Sequence, residues 1–202
     1  MENVIKLSEI RVTYSGLISF LTGLISIATG LIFMVVVTRT LSIEEYGTWG
    51  VIIGLLAYGS ILDSLVSVWS LRETARGVPS GKTATLLGTG IFSTGGIFIY
   101  IIVVFFVGLG ESVDQNTLLF AAILIPTKFL MMNLTGINTG WKPQITSYAN
   151  LISEVTKIIS VLIFVLFLDM GVSGVILSIL FASIMACIVH LIFGRTKIKN
   201  KI

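Results

Sequence analysis

The chain has 202 residues, of which 55% are hydrophobic and only 11% charged, with a formal net charge of +3. Its mean hydropathy is +1.03. A water-facing globule needs about a quarter of its residues charged, so these proportions exclude a soluble enzyme, and the apolar content excludes a disordered chain. The single cysteine, Cys187, cannot form an internal disulfide, and no Cys/His cluster has metal-ligand spacing.

Taken in chain order, the uncharged stretches predict six helices. Residues 12–38, 83–110 and 170–194 are free of charge and each is long enough to cross a bilayer core of about 30 Å outright. The other three spans require an ionisable residue within them. Asp63 lies in a second helix, Lys128 in a fourth, and Glu154 with Lys157 in a fifth. The predicted spans are 14–37, 47–69, 84–109, 116–138, 145–168 and 171–193, within a single integral membrane domain over 1–202. The first run is too long for the core of a cleaved signal peptide. The runs are continuous rather than alternating, which excludes a β-barrel. The expected fold is an all-α membrane bundle.

Short loops rich in Lys and Arg stay in the cytoplasm. Six crossings put Lys6, Arg11, Arg72, Arg76, Lys82, Lys142, Arg195, Lys197, Lys199 and Lys201 on one side, and only Arg39 on the other. This asymmetry supports an even number of crossings and predicts both termini in the cytoplasm, in a cell membrane.

An intramembrane charge is costly and usually faces a partner or a wet cavity. Lys128 follows Pro126, where a kink would free backbone carbonyls. Glu154 and Lys157 are three apart and share a helix face. Two readings follow. In one, Glu154 and Lys157 neutralise each other while Asp63 pairs with Lys128 or snorkels. In the other, the fourth and fifth helices share a polar interior face that lines a hydrated cavity. His190, near the basic end of the sixth helix, is expected to be interfacial and without a role. In the first helix Gly16, Gly23 and Gly30 recur every seven residues and are expected to let a neighbouring backbone approach closely.

Three motif matches fail on physical grounds. Gly77 to Thr83 has three residues between its glycines where a P-loop has four, and no strand precedes it. Ser173 lies in a G-x-S-G sequence like that of rhomboid proteases, but His190 is roughly 25 Å along the same helix at 1.5 Å per residue, beyond the reach of a general base. Asn133-Leu134-Thr135 is a glycosylation sequon inside a span. No acidic cluster is present to hold a metal-bound diphosphate, so neither catalysis nor a cofactor is expected.

The run Val37-Thr-Arg39-Thr-Leu41-Ser-Ile-Glu44-Glu45-Tyr46-Gly47 resembles the stretch that follows the first helix in the oligosaccharide flippases of the MATE-like superfamily. Leu71-Arg72-Glu-Thr-Ala75-Arg76, and the segment from Lys157 to Asp169-Met-Gly171-Val-Ser-Gly174, are similar to later pieces of that family in the same order. The chain departs from the family in having Asp63-Ser64 near the end of its second helix, and in supplying one six-helix lobe where the family has two. The resemblance implies alternating-access transport of a lipid-diphosphate-linked oligosaccharide, with this lobe paired with a second copy or a separate second half. On depth and charge sign, Lys128 and Lys157 are candidates for the diphosphate, Arg72 and Arg76 for its cytoplasmic entrance, and Asp63 and Glu154 for ion coupling or charge balance. The partners expected are the bilayer and this substrate, not nucleic acid. Two alternatives are a cation-coupled exporter of small molecules and a truncated, non-transporting subunit.

Overall fold

A computed structural model describes residues 2–77, 81–108 and 114–198, with side chains described from Tyr14 to Gly194 outside the two connections and the residues flanking them. The described chain is helical throughout, without a strand. Helix α1 runs Glu2–Thr40, α2 Ile43–Gly59, α3 Asp63–Ala75, α4 Gly81–Gly108, α5 Gln115–Ala121, α6 Leu124–Trp141, α7 Pro143–Val161 and α8 Gly171–Ile198. A π-helical segment, Leu162–Phe167, prolongs α7. Five spans are long and apolar enough to cross a membrane, namely Tyr14–Thr40, Leu86–Val107, Gln115–Trp141, Pro143–Phe167 and Gly171–Gly194. They become six when α2 and α3 are taken together.

The six spans read from sequence thus correspond to five such helices and one bent pair, but three helices differ in form. The first extends as one helix back to Glu2. The second, expected as one piece, is broken at Ser60–Leu62 and bent by 48°. The fourth is interrupted between Ala121 and Leu124, one turn before Pro126, whose ring cannot accommodate the carbonyl four residues back. Of the cytoplasmic basic set, the side chains of Lys6, Arg11, Lys82, Arg195 and Lys197, and Lys199 and Lys201 altogether, lie outside what the structure describes.

Local chemistry sets the turns. Ser42 caps α2 and Glu45 returns the bond to the Ser42 amide, a reciprocal capping box. Gly77 ends α3 with a φ of +73°, a conformation without steric cost only for glycine. The helix crossings rest on other glycines. A Cβ on Gly96 would strike the Gly59 carbonyl, and one on Gly136 would lie 2.5 Å from the Ser67 carbonyl. These positions bring α4 against the break between α2 and α3, and α6 against α3. The repeated glycines of α1 behave otherwise. Gly16, Gly23 and Gly30 have no neighbouring atom within 4 Å of a built Cβ, so the close approach expected of them is not made among the described residues. The apolar core gathers between α2, α4, α5, α6 and α8 around Ile52, Tyr100, Leu118, Ile125, Phe129 and Ile176.

Candidate functional site

The break in the second span is where polar chemistry enters the bundle. Ser60 is 5% exposed, and its hydroxyl donates to the Leu56 carbonyl at 2.5 Å. Lys128 of α6 reaches across, donating from Nζ to Ser60 Oγ at 2.8 Å and lying 3.5 Å from Asp63 Oδ2. A helix that stops and restarts leaves amides and carbonyls without helical partners, and here a hydroxyl, a carboxylate and an ammonium collect at the interruption. Lys128 and Ser60 also line a cavity of about 430 Å³, whose other walls are mostly apolar and come from α2, α6 and α8. Trp49, Leu56, Met131 and Ile179 are among them. The Lys128 side chain is 41% exposed, against 16% for Asp63, so the ammonium remains open to the cavity while the carboxylate is held behind it.

The second charged cluster lies elsewhere. Lys157 Nζ is 2.7 Å from Glu154 Oε2, one turn away on α7. The same oxygen accepts a short hydrogen bond from Thr29 Oγ1 of α1, and the ammonium sits 5.6 Å from the centre of the Phe33 ring. The fourth and fifth predicted helices therefore do not share one polar face. The i,i+3 spacing satisfies Glu154 and Lys157 locally against α1, whereas the helix break draws Lys128 toward Asp63. Both acid–base pairings foreseen in the first of the two sequence readings are present, and one of the lysines still opens onto a cavity.

Arg72 and Arg76 close α3. Arg76 lies 3.7 Å from Glu73 with its own side chain 70% exposed. Neither arginine lines the Lys128 cavity. His190 corrects the expectation of an interfacial histidine, because it is 1% exposed. Its Nδ1 meets Asn138 Nδ2 at 2.9 Å and its Nε2 meets Thr135 Oγ1 at 3.2 Å. Burial of the last turns of α8 against α6 outweighs nearness to the end of the span. A separate polar group joins Ser70 of α3, Thr89 of α4 and Asn133 of α6, tying those helices together as interhelical hydrogen bonds do in lipid.

Sequence reasoning missed Ser60 and Thr29. The Gly59-Ser60 pair was a usable signal for the first. The second stands in a series of α1 hydroxyls at positions 15, 19, 22, 26 and 29. Among the described residues no group of three His, Cys, Asp or Glu could hold a metal. The chain matches no protein-family model, no curated protein and no solved structure.

Proposed function

We propose that this chain is one lobe of a membrane transporter that moves an anionic amphiphile, in the first instance a lipid-diphosphate-linked oligosaccharide, across the bilayer by alternating access. The observation that carries the reading is the interrupted second helix, with Lys128 turned into an open cavity at the break. Transporters place substrate and ion sites at discontinuous helices near mid-membrane. A mostly apolar cavity with an ammonium at its foot suits a ligand that is greasy along most of its length and negative at one point. Asp63, held behind Lys128, would release the ammonium to an arriving phosphate and balance its charge at other times. Lys157 is the second candidate cation, with Glu154 in the same balancing role, while Arg72 and Arg76 would attract the headgroup from the aqueous side. The resemblance of the 37–47 and 157–174 segments to oligosaccharide flippases names the cargo and implies that a second copy or a separate lobe completes the cavity. The positive-inside asymmetry supports an orientation with both ends in the cytoplasm, as expected of such a transporter in the plasma membrane.

The apolar walls favour a second reading, export of lipophilic cations with Asp63 as the binding carboxylate. Lys128 beside that carboxylate argues against it. The test is translocation of a lipid-diphosphate-linked oligosaccharide by the assembled transporter in proteoliposomes. Lys128→Gln and Lys157→Gln should each lower the rate at least tenfold at normal protein level. Unchanged flux in both would remove the two lysines from the site. Flux of a lipophilic cation that survives Lys128→Gln and is lost in Asp63→Asn would favour the exporter.

A further inference from the structure

The seam between α1 and α7 has a polarity that apolar packing does not require. On α1 the hydroxyls of Ser15, Ser19, Thr22, Ser26 and Thr29 recur at alternating spacings of four and three, and on α7 Ser147, Asn150, Glu154 and Lys157 do the same. Such spacing keeps each set on one face of its helix. The two faces meet: Tyr14 and Tyr148 hydroxyls are 3.2 Å apart, Ser19 and Ser147 2.9 Å, and Thr29 donates to Glu154. Between these contacts lies a cavity of about 210 Å³ lined by Ser19, Thr22, Ser26, Thr146, Ser147 and Asn150, among others. Pro143 also lines a second cavity of about 480 Å³, whose wall includes Tyr14, Lys142, Gln144 and Phe193. That second cavity joins the first turns of the α1 span, the α6–α7 corner and the last turn of the α8 span, so it opens at the end of the bundle where α6 passes into α7.

We propose that this seam is a hydrated vestibule, open only at that end, which carries water to the Glu154–Lys157 pair. The neutral hydroxyl and amide lining calls for a polar occupant. Thr22 is 6% exposed, and neither its hydroxyl nor the amide of Asn150, an exposed residue, has a hydrogen-bond partner among the described residues. In a bilayer such groups are not left dry, and a polar cavity of this size holds several waters. Beyond the pair the seam turns apolar. Phe33 covers Lys157, and Val37, Val161 and Val165 are each 2% exposed or less. This closes the path toward the far end. The pair therefore exchanges with one aqueous compartment, whatever the cargo. The inference rests on the chain crossing a bilayer and not on the substrate proposed above.

The test uses single cysteines in a Cys187→Ala background, with the full assembly reconstituted in sealed phosphatidylcholine vesicles and exposed to a membrane-impermeant cationic thiol reagent from either side. Ser26→Cys and Asn150→Cys should react from one side only, at least tenfold faster than Ile27→Cys, whose parent side chain is 65% exposed on the outer face of α1. Val37→Cys should stay unreactive from that side. Gly23→Cys, with open space around its built Cβ, replaces any variant that does not elute as a single species. Reaction no faster than Ile27→Cys, or equal reaction from both sides, would overturn the vestibule. Reaction of Ile27→Cys as fast as Arg72→Cys would instead show that α1 is not in lipid and overturn the membrane reading as well.

Discussion

The carboxylate of Glu45 occupies the space that any side chain on Gly171 would need. One residue opens α2 and the other opens α8, so the contact locks together two connections more than a hundred residues apart. Gly171 has a φ of +54°, a left-handed conformation that costs a residue with a Cβ about 1–2 kcal/mol. The Glu45 carboxylate is itself fixed, because Oε2 accepts from the Ser42 amide at 2.9 Å.

Gly171→Ala should therefore destabilise the protein through two separable causes. Thermal unfolding in detergent should show a loss of about 2–3 kcal/mol, of which the backbone accounts for about 1–2. In a Glu45→Ala background the same substitution should cost about 1 kcal/mol less, the size of coupling seen between touching residues. Equal costs in the two backgrounds would show that Glu45 does not hold its place against Gly171.

Much of the architecture was legible in the sequence because it follows from solvent alone. Charge-free runs of bilayer length give helices apolar enough to span a membrane, and Pro126 had to disturb its helix. The break at Ser60–Leu62 was less legible, since no proline marks it and the Gly59-Ser60 pair beside it is a weaker signal. It is set by tertiary contacts: Gly96 of α4 against the Gly59 carbonyl, and Lys128 on Ser60. The α1 glycines mislead for a related reason. Spacing shows that they share a face but not whether a neighbour approaches it. In the candidate site, the residue types and their pairing were visible from depth and sign. Which helix each lysine faces was not, because that depends on how the broken segments cross.

The Asp63–Lys128 pair should behave as a partly buried ion pair. Asp63→Asn and Lys128→Gln should each lower stability by about 1–2 kcal/mol, above the ~0–1 of surface pairs and below the ~3–5 of fully buried ones. The double variant should lose less than the two singles together, because neither charge is then left alone. Additive losses, measured as unfolding midpoints in the same detergent, would show that the two side chains do not interact.

Asp114 provides a pH signature outside the membrane spans. Its carboxylate accepts from the Thr117 hydroxyl at 2.6 Å and from the Asn116 and Thr117 amides, capping α5. The Thr117 hydroxyl, followed by the Asn116 amide, holds its pKa below the usual carboxylate value. A depressed folded-state pKa contributes stability above the unfolded value near 3.8, and this is lost as pH falls through the folded one. The advantage of the native chain over Asp114→Ala should thus be full at pH 7 and shrink below pH 4. A midpoint difference unchanged from pH 7 to pH 3 would mean that the ionised carboxylate does not serve as the cap.

Asn138 and His190 predict an unequal pair of truncations. The Asn138 amide donates to His190 Nδ1 at 2.9 Å and to the His190 carbonyl at 3.3 Å, while its own Oδ1 is buried with no partner among the described residues. Asn138→Ala removes two donated bonds but also removes that unpaired oxygen, so its net cost should be only about 1 kcal/mol. His190→Ala empties a site that is 1% exposed and takes the acceptor from the amide, so it should cost about 3 kcal/mol. With Nδ1 accepting, the ring proton belongs on Nε2, where it is donated to Thr135 Oγ1. Nitrogen spectra of the labelled imidazole should accordingly show the neutral Nε2–H tautomer. An Nδ1–H signal would require the amide to be turned over, with its oxygen toward the ring, and would reverse the order of the two costs.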